Sequence, residues 1–223
     1  CACLVHGMVQ HVRGRPRMAR DWLEKALAAA EGLDKTAPAA LYAADPTVIA
    51  LGLLALQLVR LGFVNHARAR VREAQARARA LRAPGPQVAA LWFEALVEVR
   101  IGEAERVAER SAQMLALAEE HALMPHVRAV HLWLSGWAQA RLGDPHAGYR
   151  RISEGYEQAV PFGLRALASE ARTYGAEALA LAGDWVAARR QVVEAMQCAD
   201  AIGERQYLTQ LLLLDARIAD GFG

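Results

Sequence analysis

The chain has 223 residues, of which 54% are apolar, and its 26 basic and 24 acidic residues give a formal net charge of +2. Charges this evenly balanced exclude the strong electrostatic attraction to nucleic acid or anionic membrane that basic proteins show. The longest apolar run, residues 48–59, is shorter than the roughly 20 residues that cross a bilayer, and no secretory signal is visible. We therefore expect a cytoplasmic protein.

The predicted elements are all helices, because apolar residues recur with helical spacing and no long stretch alternates apolar and polar residues. Asp45 and Pro46 predict a helix start, since Asp is a favoured N-cap and Pro fits the first helical turn. Residues 32–44 form the only long connection. The helices form five pairs and one unpaired last helix: residues 2–13 with 16–31, 47–61 with 64–82, 86–101 with 103–122, 126–142 with 145–160, 164–182 with 184–202, and finally 205–219.

A glycine ends the first helix of each predicted pair. These glycines are separated by 48, 40, 41 and 40 residues, and they are Gly14, Gly62, Gly102, Gly143 and Gly183. A glycine in the left-handed conformation stops a helix, and the polar residue or Pro that follows starts the next one. The spacing therefore predicts a helix-turn-helix repeat of about 40 residues.

Small residues recur in register with these glycines, as two closely crossing helices require. Seven residues before each glycine stand Gly7, Ala55, Ala95, Gly136 and Ala176. Five residues after stand Ala19, Ala67, Val107, Gly148 and Ala188, and twelve after stand Ala26, Ala74, Met114, Gly155 and Ala195. The register predicts one array over residues 1–223, with repeats at about 1–32, 46–83, 85–123, 125–162 and 163–203.

These columns resemble the signature of tetratricopeptide (TPR) repeats, and the closest phrases are residues 137–144, 176–184 and 201–205. The period of about 40 residues is longer than the usual 34. The resemblance implies an all-α, right-handed superhelical solenoid of about five helix pairs plus a terminal helix. The longer repeat is similar to the C-terminal arrays of bacterial ATPase-linked signalling proteins, such as maltose-activator-like regulators and nucleotide cyclases with ATPase modules. HEAT-like repeats are the alternative fold.

The residue types that carry chemistry do not form a recognisable catalytic or metal-binding pattern. The four serines lie inside predicted helices, and His126 and His131 are five residues apart, which is a poor spacing for two ligands on one helical face. The sequence predicts no catalytic residue, no metal site and no cofactor. We therefore expect no enzyme activity from this chain, whereas a parent protein would carry an ATPase or a cyclase.

A candidate groove follows from the resemblance, since the first helix of each TPR pair lines the concave side. Its predicted binding residues are Leu56, Arg60, Trp92, Leu96, Arg100, Trp133, Trp137 and Arg141. Exposed aromatic side chains in a concavity favour peptide recognition, and we expect Trp133 and Trp137 to be partly accessible near Trp92. The alternative is that the tryptophans only fill the interior of the array.

Arginines occur in two patterns that each allow two interpretations. Arg60, Arg100 and Arg141 each stand two residues before a turn glycine, where a cation either binds carboxylates or phosphates or complements the helix dipole. The helix over residues 64–82 carries six arginines and one glutamate, and the next pair is rich in glutamate. Ion pairs between these helices are expected there.

The sequence favours a protein-interaction or regulatory array that binds a protein, a peptide or other domains of its parent chain, and not nucleic acid or membrane directly. The alternative is a small-molecule effector sensor. Helix 205–219 carries Tyr207, Leu208, Leu211, Leu212, Leu214 and Ile218 on more than one side. A terminal repeat needs a polar outer face to stay soluble. The sequence therefore predicts self-association through this helix or a longer parent array.

Overall fold

A computed structural model describes residues 2–31, 45–123, 126–159 and 168–221. These ranges contain eleven α-helices and no β-strand, which confirms the predicted all-α solenoid. The predicted long connection at residues 32–44 lies outside the described residues. The helices are α1 (Ala2–Val12), α2 (Pro16–Glu31), α3 (Pro46–Arg60), α4 (Val64–Ala80), α5 (Pro84–Ile101), α6 (Ala104–Glu120), α7 (Val127–Arg141), α8 (Pro145–Ala159), α9 (Ala168–Leu181), α10 (Trp185–Ile202) and α11 (Leu208–Gly221).

Short turns join the two helices of each pair, and glycine makes these turns feasible. The five turn glycines have φ between 66° and 111°, a region that residues with a Cβ rarely adopt. The predicted helix start at Asp45 is also confirmed, because its Oδ1 accepts hydrogen bonds from the backbone N–H groups of Thr47 and Val48, both at 3.0 Å. Local sequence signals therefore set these helix ends.

The helices form two layers. Helices α3, α5 and α7 are buried along most of their length, whereas α4 buries one stripe, at Ala67, Val71, Ala74 and Ala78. Each helix packs against the next one along the chain, and α3, α7 and α9 also pack against odd-numbered neighbours. Helices α3, α5, α7 and α9 thus form the inner layer, and the even-numbered helices cover it from outside.

Small residues let the two layers approach closely. A Cβ added to Gly136 in α7 would lie 2.7 Å from the backbone oxygen of Gly148 in α8, and one added to Gly148 would lie 2.5 Å from that of Gly136. Ala55, Ala95 and Ala176, in the matching column of the other repeats, are 0% exposed. The predicted small-residue register therefore marks the crossing points of the helix pairs. The grouping into five repeats of one domain stays a prediction.

The last helix does more than extend the array, and this was not expected from the sequence. The backbone N–H of Arg205, just before α11, donates a 2.8 Å hydrogen bond to the backbone oxygen of Val12 at the end of α1. A Cβ on Gly14 would lie 2.7 Å from the backbone oxygen of Arg205. The first turn of the array and the start of its last helix are therefore in direct contact.

Among the described residues, no helix combines the length and the apolar character that a membrane span requires.

Candidate binding pocket

A pocket of about 480 Å³ lies between the inner layer and α11. One wall comes from the C-terminal ends of α3, α5 and α7 and from α9, and the opposite wall comes from the start and one side of α11. The lining residues are Gly14, Pro16, Arg60, Val99, Arg100, Ile101, Gly102, Trp137, Arg141, Glu177, Arg205, Gln206, Thr209, Gln210, Leu213, Leu214 and Arg217. The volume is in the range of pockets that bind small ligands.

The pocket is strongly positive, because five arginines and one glutamate line it. Arg205 pairs with Asp200 at 2.8 Å. For the other four pocket arginines, no carboxylate among residues 2–31, 45–123, 126–159 and 168–221 lies within 4.0 Å of a guanidinium nitrogen. The single lining carboxylate, Glu177, accepts a hydrogen bond from the indole N–H of Trp137. The pocket therefore has an excess of positive charge.

Arg60 and Arg100 hold the last helix against the inner layer. Arg60 donates a hydrogen bond to the backbone oxygen of Gln206. Arg100 donates one to Oε1 of Gln210 at 3.2 Å and lies 4.7 Å from the centre of the Tyr207 ring. Burial, and then repulsion by Arg100, lower the pKa of Arg60 to about 10, so that both guanidinium groups are charged at neutral pH.

A buried polar network fixes the segment that leads into α11. The hydroxyl group of Tyr207 donates to Glu170, and that of Ser169 donates to Glu204. Gln206 donates its side-chain amide to the other oxygen of Glu204. Burial raises the pKa of Glu170, while the Tyr207 hydrogen bond and Arg100 oppose the shift. Because Ser169 and Glu170 of α9 hold Glu204 and Tyr207, the segment has a defined position over the inner layer.

His11 lies beside the two inner arginines at the end of α1. Its Nδ1 is 2.8 Å from the side-chain nitrogen of Gln57. Burial, and then repulsion by Arg60 and Arg100, lower the pKa of His11 to about 3. The imidazole is therefore neutral at physiological pH and accepts the Gln57 hydrogen bond through Nδ1.

The structure places four of the predicted groove residues in the pocket: Arg60, Arg100, Trp137 and Arg141. Leu56 and Leu96 are buried in the core, at 5% and 7% exposure, and Trp92 is partly exposed and stacks on Phe93. The role of the full set as a binding groove stays a prediction.

The expectation that Trp133 and Trp137 are partly accessible is wrong, since they are only 1% and 2% exposed. Trp133 belongs to the main hydrophobic core. The Trp137 ring is covered by the Arg141 guanidinium, 5.3 Å from its centre, and by the Tyr174 ring at 6.2 Å. Neighbouring side chains thus cover both indoles, so that the exposed Arg141, and not the aromatic rings, forms the accessible wall.

Sequence reasoning missed the wall that α11 contributes. Thr209, Gln210, Leu213 and Arg217 line the pocket, and steps of three and four residues along α11 place them on one side of the helix. Gln206 lines the pocket from the segment before α11. The sequence did contain a signal for this wall: Gln206, Gln210 and Arg217 interrupt a segment rich in leucine, which indicates a helix face that is partly polar. What the sequence did not indicate is that this face turns toward the arginines of α3 and α5.

Three arginines of the outer layer, Arg68, Arg106 and Arg110, lie against glutamates of α5, as predicted from the charge pattern of α4 to α6. Nη2 of Arg68 lies 2.9 Å from Oε2 of Glu98, and Nη2 of Arg106 lies 3.3 Å from its Oε1. Nε of Arg110 lies 2.9 Å from Oε1 of Glu94. These ion pairs join α4 and α6 to α5 and confirm the interhelical interpretation.

The last helix buries one face and leaves another apolar face exposed. Leu211 and Ile218 are 0% exposed, whereas Leu208, Leu212 and Leu213 are 37% to 58% exposed. The self-association predicted for this helix stays a prediction.

The sequence matches no protein-family model and no curated protein. Among solved structures, the chain resembles a Rap protein complexed with Competence and Sporulation Factor, with a TM-score of 0.61 at 12% identity over 96% of this chain and 63% of that one. It also resembles a Signal Transduction ATPase with Numerous Domains (STAND) with a tetratricopeptide repeat sensor from Pyrococcus horikoshii, with a TM-score of 0.61 at 13% identity over 99% of this chain and 31% of that one.

The apo form of RapI is similar too, with a TM-score of 0.60 at 9% identity over 99% of this chain and 82% of that one. The chain spans less than two thirds of the length of the first two structures. At these identities the likeness concerns the fold, which is a TPR-like helical repeat.

Proposed function

We propose that this chain is a non-catalytic recognition array that binds a peptide segment of a partner, or of another domain of its parent chain, in the pocket between the inner layer and α11. Arg60, Arg100, Trp137 and Arg141 belong to the binding site, and Leu56, Trp92, Leu96 and Trp133 support it from beneath. The parent is a larger bacterial signalling or transcription-regulating protein with an ATP-binding module, and the array works in the cytoplasm.

The observation that carries the proposal is the pocket itself. It combines donors from Arg100 and Arg141 with apolar surface from Leu213 and Leu214, and a peptide offers both acceptors and apolar side chains. TPR-like neighbours add support: a Rap protein is complexed with Competence and Sporulation Factor, and the repeats of a STAND protein are described as its sensor. The second neighbour also supports an ATPase-linked parent.

A selection from a random dodecapeptide library on the immobilised protein tests the proposal. The selected peptides are then measured by calorimetry on the protein and on a Thr209→Trp variant, because Thr209 is an exposed pocket residue and an indole there fills the space. We expect at least a tenfold loss of affinity in this variant. Unchanged affinity would contradict the proposed site.

A small-molecule effector sensor is the second candidate, and the pocket volume of about 480 Å³ favours it specifically, since small-ligand sites have this size. A panel of metabolites that raises the melting temperature of the protein but not of Thr209→Trp, together with a peptide selection that enriches nothing, would decide for this candidate.

A further inference from the structure

The geometry points to a negatively charged ligand: we propose that the pocket recognises a carboxylate side chain of the bound peptide, next to an apolar side chain, through Arg60, Arg141 and Arg217. This inference rests on the proposed function and adds the chemistry that selects the ligand.

The first argument is the lack of neutralisation. The outer arginines Arg68, Arg106 and Arg110 each lie within 4.0 Å of a glutamate oxygen. In the described part of the chain, Arg60, Arg100, Arg141 and Arg217 have no such partner, although all four line one pocket. Charges of one sign that line one concavity repel each other, and the buried carboxylates Glu204 and Glu170 offset only part of this repulsion, at Arg60 and Arg100. An anion placed between them removes this repulsion.

The second argument is an unused donor. Nη1 of Arg60 is buried and has no hydrogen-bond partner among the described residues, although Nη2 of the same side chain is engaged by Gln206. Buried donors without an acceptor are rare in folded proteins because they cost free energy. A carboxylate oxygen at the Arg60 end of the pocket would satisfy this donor.

The third argument is the position of the exposed guanidinium groups. Nη2 of Arg141 reaches from α7 to the turn after α5, where it lies 3.7 Å from the place that a Cβ on Gly102 would take. Arg217 lines the same pocket from α11. Both side chains are exposed. Arginine binds carboxylates through two parallel N–H donors, so that these two groups are suited to receive a side chain that enters from solvent.

The apolar part of the pocket determines which kind of side chain the ligand carries next to its carboxylate. Leu213 is 58% exposed, and Leu214, Val99 and Ile101 extend the apolar surface inside the pocket. An aliphatic side chain of the ligand that is buried against this surface stabilises the complex. We therefore expect Asp or Glu adjacent to Leu, Ile, Val or Met in the ligand.

The test is the composition of the peptides that the random dodecapeptide library yields on three proteins: the unchanged chain, the pocket variant Arg141→Gln/Arg217→Gln, and the control Arg190→Gln. Arg190 is an exposed arginine of α10 outside the pocket. We expect Asp and Glu to be enriched at least twofold over the input library on the unchanged chain and on the control. The enrichment should disappear on the pocket variant.

Defined peptides then test the charge directly. In the best selected peptide, exchange of Glu for Gln should weaken binding at least tenfold at low salt, and Arg141→Glu should restore binding of the peptide with Lys in that position. If Arg141 had only a structural role, Arg141→Glu would not change the preference of the pocket from an acidic to a basic peptide. Inorganic phosphate at millimolar concentration should compete with the acidic peptide but not with the Gln peptide.

The failures of the two proposals are distinguishable. Selected peptides that lose affinity for Thr209→Trp but show no acidic bias would overturn the carboxylate inference and leave the peptide pocket standing. A selection that enriches no peptide would overturn both. Acidic peptides that bind Arg141→Gln/Arg217→Gln as well as the unchanged chain would also overturn the inference.

Discussion

Three arginines of the outer layer and four of the pocket have different partners. On α4 and α6, Arg68, Arg106 and Arg110 lie against the glutamates of α5, so that their charges are used within the fold. The pocket arginines have uncharged partners instead. Arg100 contacts Tyr207 and Gln210, and Arg141 contacts Trp137. The difference indicates that these three outer arginines stabilise the stacking of repeats, whereas the exposed pocket arginines Arg141 and Arg217 have no carboxylate partner in the described residues, as the proposed ligand site requires.

The largest effect is expected from breaking the helix crossing that positions Arg141. Gly136→Ala should lower the free energy of unfolding by about 3 kcal/mol, because the new Cβ meets the backbone oxygen of Gly148 at 2.7 Å and overpacking at such a contact costs roughly 1–3 kcal/mol. Urea denaturation measures the loss. Gly175→Ala is the matched control, since its Cβ would meet the Tyr149 ring at an ordinary 3.5 Å. Equal stabilities of the two variants would contradict the register.

The next effect concerns the outer ion pairs. Glu98→Gln removes the shared partner of Arg68 and Arg106, and its side chain is only 2% exposed. We expect a loss of about 1–2 kcal/mol, less than for a fully buried pair because the arginines are 29% and 42% exposed. The exposed pair Arg70–Glu73 provides the control Glu73→Gln, which should cost less than about 0.5 kcal/mol. If chemical denaturation shows a larger loss for Glu73→Gln than for Glu98→Gln, the outer ion pairs do not stabilise the stacking of repeats.

A third effect depends on pH. The pKa of His11 is lowered to about 3 in the fold by burial and by Arg60 and Arg100, against about 6.5 in the unfolded chain. Between these values the unfolded chain binds more protons, so that His11 makes stability fall as the pH drops from about 6.5 toward 3. His11→Gln should reduce this slope, measured as melting temperature against pH. The exposed His146→Gln variant should keep it, and a retained slope in His11→Gln would argue against the proximity of the arginines.

The smallest effect on stability should come from the pocket itself. Arg141→Gln removes an exposed side chain without a carboxylate partner in the described residues, and such changes usually remain within about 0.5 kcal/mol. Thermal denaturation should thus show almost no change, while binding of an acidic peptide decreases. A loss of more than about 1 kcal/mol would mean that Arg141 serves the fold, as the outer arginines do.

The sequence predicted those features of the fold that depend on the chemistry of short stretches of chain. Gly102 and Gly143 marked turns, because a positive φ there requires glycine, and Gly136 and Gly148 marked the crossing, because only small residues fit. Pocket residues Arg60, Arg100 and Arg141 were found through their fixed distance to those turns. The burial of Trp133 and Trp137 was missed, since it depends on contacts with side chains of other helices, such as Tyr174 of α9, which no short stretch of sequence encodes.

The position of α11 was missed for the same reason. Its leucines predicted a helix, but the contacts of Gln206 and Gln210 with α3 and α5 join residues more than a hundred positions apart. Repeat patterns describe how neighbours stack and contain no information about how far the array turns before its ends meet.

The backbone hydrogen bond between Arg205 and Val12 has a thermodynamic consequence. In an open solenoid each repeat contacts only its neighbours, so that terminal repeats fray on their own and unfolding spreads from an end. Here the end of α1 loses a hydrogen-bond partner when the segment that leads into α11 detaches, and that segment loses one when α1 detaches. Opening at either end is therefore coupled to opening at the other. We expect amide hydrogens of α1 and α11 to exchange with similar protection in a native-state exchange experiment, as parts of one cooperative unit.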